Sequence, residues 1–319
     1  MRIVSSLCKL VVLGAAGCCA ASLGTGIAAD PPRPGQLQIV ESPTGVAVRS
    51  GDRMVLDYRA GATPMKPYIQ ELFTPGGVQI LRDSPHDHKH HHGLMFAVAV
   101  DGTDFWAENP HCGRQVPTHA TAADAQSRAA DGGSRVAFTQ HLDWRTPGDV
   151  KVLQEDRTIT ALAGANLPAT LLTWRSRLTA PEGKGPAKLT GSHYFGLGLR
   201  FVESMDQAGR FVNSEGREGV LVRGSERVTP ARWCAYTSQV KDRPVTVAVF
   251  DHPKNPRPAQ FFTMRPFAYL SATLNLWKQP LEIAPQASLD LRYGVAVWDG
   301  QIDSPGVDSL YWKWVELEP

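Results

Sequence analysis

Residues 93–102 read GLMFAVAVDG, an almost unbroken apolar run that ends in Asp-Gly. A short apolar run followed by a turn dipeptide predicts a strand buried on both faces and a tight turn after it. Segments on both sides mix apolar and polar residues at a spacing near two, which is the period of a half-buried strand. The clearest are LQIVE, GVAVRS, RMVLDYR, SRVAFTQHLDWR, TLLTWRSRLTA, VTVAVF and LDLRYGVAVWDG.

The remaining chain supplies turns rather than helices. Its 29 Gly and 24 Pro residues punctuate about a dozen such segments. The longest helix-like patch, at residues 118–133, is Ala-rich but lacks an apolar stripe, which indicates a loop or a short surface helix. We therefore predict an all-β fold, a single large antiparallel β-sandwich at residues 38–319 that follows a linker at residues 30–37.

Composition excludes two classes of protein. The 319 residues carry a formal net charge of +2, with 20% charged and 42% hydrophobic residues. These values are typical of an ordinary globular chain and not of a disordered one or of a basic nucleic-acid binder. No nucleic-acid partner is expected, and no apolar run in the mature chain is long enough to span a bilayer.

The N-terminus has the pattern of a secretory signal peptide. Residues 1–29 contain Arg2 and Lys9, then the apolar run 10–16 and small residues up to Ala29. An alternative is a lipoprotein signal, which would anchor the chain through an acylated Cys18. Either reading predicts export to the periplasm or the cell exterior. The mature chain keeps Cys112 and Cys234, which form either one disulfide or two buried free thiols.

The stretch 84–96, SPHDHKHHHGLMF, holds five of the ten histidines. In an extended chain His86, His88, His90 and His92 would share one side, and His91 the other. Imidazoles on one side could hold a common divalent metal such as Zn, Mn, Ca or Cu. The alternative is a solvated histidine-rich loop before the strand, because such tracts indicate metal binding by composition only.

A second polar patch, 249–262, reads VFDHPKNPRPAQFF. Its prolines stiffen the loop, and stiff loops on a β scaffold often carry sites. If it meets the histidine cluster, His252 becomes a base or a fourth metal ligand beside His88, His90 and His91. Asp251 would then orient the base, and Asn255 would bind substrate. The alternative is a plain Asp-capped turn.

Three further patches add candidate residues. In NSEG, Glu215 could act as a general acid and Asn213 could bind substrate. The alternative is a turn, of which the same residues are typical. Arg200 alternates with apolar residues and could point into a cleft. Trp106 could stack on a sugar, although most tryptophans pack in cores. The chain lacks a GxSxG elbow, a P-loop and a CxxC pair, which argues against the familiar hydrolase and nucleotide-binding schemes.

The motifs DHKHHHGLMF, DGTDFW, NSEG, FDHPKNPR and YGVAVWDG together resemble a secreted bacterial family labelled methane oxygenase PmoA-like. The resemblance covers residues 38–300. It departs at Lys89 and His92, where the family tends to have Pro and Arg. The β pattern is also similar to the supersandwich of galactose mutarotases and related lyases. The resemblance implies a sugar as partner, a supersandwich-like fold and association with sugar degradation.

We therefore predict an exported carbohydrate-active enzyme of the lyase, epimerase or glycoside hydrolase type. His91 and His252 would be bases or ligands, with Asp251 and Glu215 assisting and one divalent metal as the possible cofactor. One alternative is a non-catalytic β-sandwich that binds carbohydrate or metal. Another, which the family label implies, is a copper-dependent oxygenase.

Overall fold

The computed structural model describes residues 36–61, 64–119, 121–123, 127–128, 133–164, 167–206, 209–265 and 267–318. The predicted leader, its alternative acylation site Cys18 and most of the predicted linker lie outside the described residues, so export stays a prediction. In the part of the chain that is described, no helix combines the length and the apolar character that a membrane crossing requires.

The first half of the chain consists of strands. They are β1 Leu37–Ser42, β2 Gly45–Ser50, β3 Arg53–Arg59, β4 Tyr68–Leu72, β5 Leu94–Ala97, β6 Ala99–Val100, β7 Thr103–Asp104, β8 Arg114–Pro117, β9 Ala122–Ala123, β10 Ser127–Arg128, β11 Ser134–Arg145, β12 Lys151–Ala163 and β13 Thr170–Thr179.

The second half adds strands, one turn of 3-10 helix and one α-helix. They are β14 Ala187–Thr190, β15 Gly196–Arg200, the 3-10 turn Glu203–Met205, β16 Arg210–Asn213, β17 Val220–Arg223, β18 Glu226–Pro230, β19 Trp233–Val240, β20 Arg243–Asp251, β21 Gln260–Met264, β22 Tyr269–Thr273, β23 Leu281–Ile283, β24 Ser288–Asp299 and α1 Ser304–Leu317.

Two large antiparallel sheets form the sandwich. The first has the strand order β1-β2-β3-β4-β5-β15-β22-β21-β18-β17. The second has the order β10-β11-β12-β13-β24-β20-β19-β16, and β8 and β9 also pair with β11. A small third sheet, β23-β14-β6-β7, accompanies them. The inner faces share one core in which the Tyr58 and Phe138 rings lie 5.1 Å apart. The predicted antiparallel β-sandwich is confirmed.

The apolar run at residues 93–102 forms β5 and β6, and residues Leu94 to Val98 are fully buried or nearly so. Gly93 makes the entry into β5 possible. Its φ is +27°, and a Cβ there would lie 2.2 Å from the carbonyl oxygen of Ile69 on β4. Only glycine tolerates both the backbone angle and the close approach. The histidine-rich segment is therefore held against β4 at its C-terminal end.

The helix α1 is the main element that we did not predict. Asp303 caps it by accepting a hydrogen bond from Gly306 N at 2.9 Å. Its buried face, Val307, Leu310, Tyr311 and Trp314, packs in a second core cluster that contains residues of the second sheet. An Asp N-cap before Ser-Pro and this i, i+3, i+4, i+7 spacing were readable signals of a helix.

Two smaller predictions are decided by the structure. Within residues 118–133 the described parts include the short strands β9 and β10, which pair with β11, so the backbone there is extended rather than helical. Cys112 and Cys234 are buried free thiols and form no disulfide.

Candidate functional site

The histidine-rich segment is folded into turns and is not extended. His88 N donates to Pro85 O at 3.0 Å, His91 N donates to His88 O at 2.9 Å, and Ser84 N donates to His91 O at 2.8 Å. These turns overturn the alternation that we expected for His86, His88, His90 and His92. His88, His90 and His91 gather instead, with ring centroids 4.6 to 6.0 Å apart.

These three histidines form one wall of a cavity of about 230 Å³, which we call the histidine cavity. The other lining residues come from β21, β22 and the segments around β15, β17 and β18 of the first sheet. They are Tyr194, Arg223, Glu226, Phe262, Met264, Phe267 and Tyr269. The cavity therefore combines imidazoles, one carboxylate, one guanidinium and a mostly aromatic wall.

The imidazoles of His90 and His91 are neutral at neutral pH. The pKa of His91 is lowered to about 2, because the ring is buried and because His90, His88 and Arg200 add positive charge nearby. Burial also lowers the pKa of His90, and Lys66 and His88 add to the effect. A neutral imidazole keeps one nitrogen as donor and the other as acceptor, so both rings can bond to a polar ligand.

Glu226 is an ionised carboxylate in the wall of the cavity. Arg223 Nη2 donates to it at 2.6 Å and His193 Nε2 lies 2.9 Å from its other oxygen. Burial alone would raise the pKa of Glu226, but the bonds from Arg223 and His193 outweigh burial and lower it. The carboxylate is thus held in place and charged, which suits a residue that accepts a hydrogen bond or a proton.

Among the residues that line the cavity, His88 Nδ1 is buried but lies 3.0 Å from the Asp87 carboxylate, and two further buried polar atoms have no hydrogen-bond partner in the described structure. They are His91 Nδ1 and Tyr269 Oη, and the two rings lie 4.9 Å apart. Trp106 Nε1, behind them, is a third. An unpaired buried polar group costs roughly 1–3 kcal/mol, so such groups are uncommon unless they serve a ligand or a mechanism.

His92 points away from the cavity into a buried charge network. It donates through Nδ1 to Asp83 at 2.7 Å and through Nε2 to Glu108 at 3.1 Å, and Lys66 Nζ donates to Glu108 at 2.6 Å. Burial would lower the pKa of His92, but these two carboxylates raise it. The ring is an imidazolium that supports the loop from behind, where the resembled family tends to have Arg.

The loop that follows β20 lines a different cavity from the histidine segment. Asp251, His252, Asn255 and Glu215 line a cavity of about 500 Å³ together with Pro230, Pro253 and Pro258, and also Arg217, Ala231, Arg232, Tyr311 and Trp312. We call it the proline cavity. Asp251 belongs to the second sheet, whereas the histidine segment precedes β5 of the first. The structure therefore does not bring His252 to His88, His90 and His91.

Within the proline cavity Asp251 and Asn255 are hydrogen-bonded within the loop, whereas His252 Nε2 is buried without a hydrogen-bond partner among the described residues. Asp251 accepts from Asn255 Nδ2 at 2.7 Å and from Ala259 N at 2.8 Å. Asn255 also bonds to the backbone of Arg292 at 2.9 and 2.8 Å. Asn213 closes the neighbouring turn by accepting from Glu215 N, and Glu215 is exposed. These contacts fit the turn that we gave as the alternative.

Two predicted substrate-binding residues stand apart from both cavities. Trp106 is 1% exposed and stacks on Phe195 at 5.2 Å, so its ring is not available to a sugar. Arg200 lines a neighbouring cleft with His86 and Asp87. Its guanidinium lies 4.2 Å from the centre of the Phe267 ring, which also borders the histidine cavity.

The expected metal site has no ready-made ligand set. Among the described residues, no three His, Cys, Asp or Glu side chains are placed so that they could hold one metal ion. The four-histidine set fails because His252 lies in the proline cavity. The divalent metal stays a prediction.

Sequence reasoning missed Glu226, His193, Arg223 and Tyr269. Glu226 and Arg223 sit in the short hairpin VLVRGSERV, which has no recognisable motif. The segment GSHYFGLGLRF contains His193, but only its glycines and Arg200 were considered as candidate site residues. A histidine next to an aromatic pair was the one signal available there.

Residues 45–312 match the model of a family of unknown function, DUF6807. This chain belongs to that family. The model's description does not mention a methane oxygenase, so the resemblance to the PmoA-like family stays a prediction. None of the curated proteins matches the chain in sequence.

Several solved structures are distantly similar to this DUF6807 member. The GH36 α-galactosidase AgaB from Geobacillus stearothermophilus is 10% identical with a TM-score of 0.48, and the match covers 82% of this chain and 41% of that one. The Slr1438 protein from Synechocystis sp. PCC 6803 is 12% identical with a TM-score of 0.40, at 85% and 98% coverage. A candidate mutarotase, YeaD, from Salmonella typhimurium is 11% identical with a TM-score of 0.35, at 83% and 94% coverage.

The chain thus spans about two fifths of the length of the α-galactosidase. These likenesses are too distant to carry an argument about what this chain binds or does.

Proposed function

We propose that this DUF6807 member is a carbohydrate-active enzyme and that the histidine cavity holds one sugar ring. The observation that carries the proposal is the pair of unpaired buried polar atoms, His91 Nδ1 and Tyr269 Oη, in residues that line the same cavity as the Glu226 carboxylate. Polar groups left unpaired beside a cavity indicate a polar ligand.

A sugar suits the size and lining of this cavity. About 230 Å³ is less than the 300–1,000 Å³ typical of drug-sized ligands, and so fits a smaller molecule such as one pyranose ring. The aromatic side chains Tyr194, Phe262 and Phe267 can pack on the apolar faces of a sugar. The imidazoles, Arg223 and Glu226 offer donors and acceptors to its hydroxyl groups.

The proposed chemistry is a proton transfer on the bound sugar. The Glu226 carboxylate takes a proton from the anomeric hydroxyl or from a carbon next to a carbonyl. With the anomeric hydroxyl, the O–H electron pair forms a C1=O double bond while the bond from C1 to the ring oxygen breaks and its electron pair goes to that oxygen. With the carbon, the C–H pair forms a C=C double bond and the carbonyl π pair goes to the carbonyl oxygen. The oxygen that gains the pair accepts a hydrogen bond from the neutral imidazole of His91, and Glu226 returns its proton to the sugar or, in an elimination, to the leaving group. Epimerisation and elimination can both begin in this way.

This scheme changes the role that we predicted for His91. A pKa of about 2 makes its imidazole a poor base at neutral pH, and the base is assigned to Glu226 because its ionised carboxylate lines the same cavity. A neutral imidazole is still an effective hydrogen-bond donor to developing negative charge. Tyr269 remains protonated because burial raises its pKa, and its hydroxyl can bond to the ligand or to His91.

A second candidate function is sugar binding without catalysis. The pKa values of His91 and Glu226 are both lowered, so neither group is tuned to exchange protons near pH 7. The same cavity would then serve a binding protein, and turnover rather than affinity separates the two functions.

The test uses the purified protein in D₂O with glucose, galactose, mannose, xylose and glucuronate. Proton NMR follows anomer interconversion and deuterium uptake at carbon, and calorimetry measures binding. We expect Glu226→Gln to lower the rate by about 10²–10⁴-fold. Glu215→Gln is the matched control, since Glu215 lies in the proline cavity, and should leave the rate unchanged.

Three outcomes are decisive. A rate that is lost in Glu226→Gln and kept in Glu215→Gln supports the enzyme. Binding that needs His91 and Glu226 without any exchange replaces the enzyme with a binding protein. A protein that neither binds nor converts any sugar of a broader panel overturns the proposal.

A further inference from the structure

An exposed tryptophan stands beside the histidine cavity. Trp277 is 38% exposed, which is unusual for an indole in a chain whose other described tryptophans are, apart from Trp312, buried. Backbone hydrogen bonds fix the turn that carries it. Lys278 N and Gln279 N both donate to Asn275 O, at 3.2 and 3.0 Å. The indole is therefore presented by a defined turn.

Arg257 ties this turn to the body of the protein. Its Nη1 donates to Leu274 O at 3.3 Å and to Gln279 O at 2.8 Å. A side chain displayed on a pinned turn loses little further freedom when a ligand packs on it, which favours binding.

The indole is one side chain away from the proposed sugar site. Its ring centroid lies 5.6 Å from that of His193, and His193 Nε2 lies 2.9 Å from the Glu226 carboxylate. Glu226 in turn lines the cavity, as does Tyr194, whose ring centroid is 5.1 Å from that of His193. A chain of contacting polar and aromatic side chains thus links the cavity to Trp277.

We infer that Trp277 forms a second sugar subsite, so that the ligand is a glycoside of at least two sugar rings. This inference rests on the proposed function. One ring occupies the histidine cavity and the next packs on the Trp277 indole, since aromatic rings suit the apolar face of a sugar. The Lys278 ammonium lies over the indole ring, 4.5 Å from its centroid, so the second sugar ring packs on the indole face that Lys278 leaves open.

Trp312 provides a matched control for Trp277. It is 48% exposed and has Lys313 as its neighbour in sequence, but it lies on α1 at the proline cavity. Its Nε1 donates to Asp308 at 3.2 Å and the Arg232 guanidinium lies 5.6 Å from its ring. Removing Trp312 therefore deletes an equally exposed indole away from the proposed sugar path.

The experiment compares monosaccharides with their disaccharides by calorimetry, using glucose and galactose against maltose, cellobiose, lactose and melibiose. For the disaccharide that binds best, we expect the wild type to bind it tighter than the monosaccharide by about 3- to 10-fold, the range of one aromatic contact. Trp277→Ala should remove this ratio, Trp277→Phe should restore part of it, and Trp312→Ala should keep it.

Each result separates this inference from the proposed function. If disaccharides bind no tighter than monosaccharides, or if Trp277→Ala keeps the ratio, the second subsite is overturned while sugar binding in the cavity stands. If monosaccharides and disaccharides all fail to bind, the proposed function itself is overturned. Circular dichroism checks that both alanine variants are folded, which is expected because both indoles are exposed.

Discussion

The histidine cavity and the proline cavity contain the same kinds of residue but differ in their hydrogen bonding. In the proline cavity Asp251 and Asn255 bond to each other and to the backbone of their own loop and of β24. In the histidine cavity His91 Nδ1 and Tyr269 Oη, whose rings lie 4.9 Å apart, have no partner among the described residues, whereas the proline cavity has a single such atom, His252 Nε2. Paired polar groups hold a loop in shape, whereas unpaired ones keep bonding capacity for a ligand.

The difference extends to neighbouring residues of one segment. His91 belongs to the unpaired set, and His92, next in sequence, is bonded to two carboxylates. Residue type and proximity in sequence therefore do not tell a site from a scaffold. The hydrogen-bond partners of each polar atom distinguish a site residue from a scaffold residue.

The largest effect is expected for His92→Ala. Removing the imidazolium leaves Asp83 and Glu108 half-buried without their shared cation, and breaking such a network costs about 3–5 kcal/mol of unfolding free energy. His90, two residues away, has no carboxylate partner among the described residues, so His90→Ala should cost about 1 kcal/mol or less. Urea unfolding of both variants measures the difference, and equal losses would contradict the assignment of His92 to the scaffold.

Much of the fold could be predicted from the sequence, because alternation within each strand is a local property. The alternation predicted the antiparallel β-sandwich, and the apolar run at residues 93–102 predicted the buried strand β5. The helix α1 was missed although its cap and its apolar spacing are also local. For the site, only the clustering of His88, His90 and His91 was predicted.

The rest of the site depends on tertiary packing. Tyr269 meets the histidines because β15 pairs with β5 and β22 with β15, and Glu226 joins them because β21 pairs with β22 and β18 with β21. These pairings bring together positions more than 130 residues apart. No spacing in the sequence records such a pairing. For the same reason the sequence left open whether the His cluster and the Asp251 loop meet, and in the structure they line different cavities: Asp251 ends β20 of the second sheet, whereas the histidine segment leads into β5 of the first.

The second prediction, of intermediate size, is that the unfolding free energy depends on pH through Asp251. Burial raises the pKa of this carboxyl to about 6, although Ala259 N and Asn255 donate to it. A raised pKa means that the folded state holds the proton longer than the unfolded state. The stability that Asp251 contributes is therefore complete below pH 4 and falls by about 3 kcal/mol as the pH rises through 6.

Asp251→Asn isolates this effect because Asn does not titrate. Unfolding free energies of both proteins between pH 4 and pH 7.5 should show the wild type losing its advantage over the variant as the pH rises. Glu215→Asn, at an exposed position of the same cavity, should show no such trend. A difference between wild type and Asp251→Asn that is independent of pH would mean that the carboxyl stays ionised in the folded state.

The smallest effect, and the one whose sign is most informative, is expected for Tyr269→Phe. Its hydroxyl is buried and unpaired, so deleting it removes a desolvation cost without breaking a bond, and the unfolding free energy should stay within about 0.5 kcal/mol or rise. Tyr58→Phe is the matched control. The Tyr58 hydroxyl is equally buried but donates to Gln140 and accepts from Arg157, so its loss should cost about 1–2 kcal/mol. If the two variants are destabilised equally, the Tyr269 hydroxyl has a partner in the folded protein, and the contrast between paired and unpaired groups no longer marks the histidine cavity as the binding site.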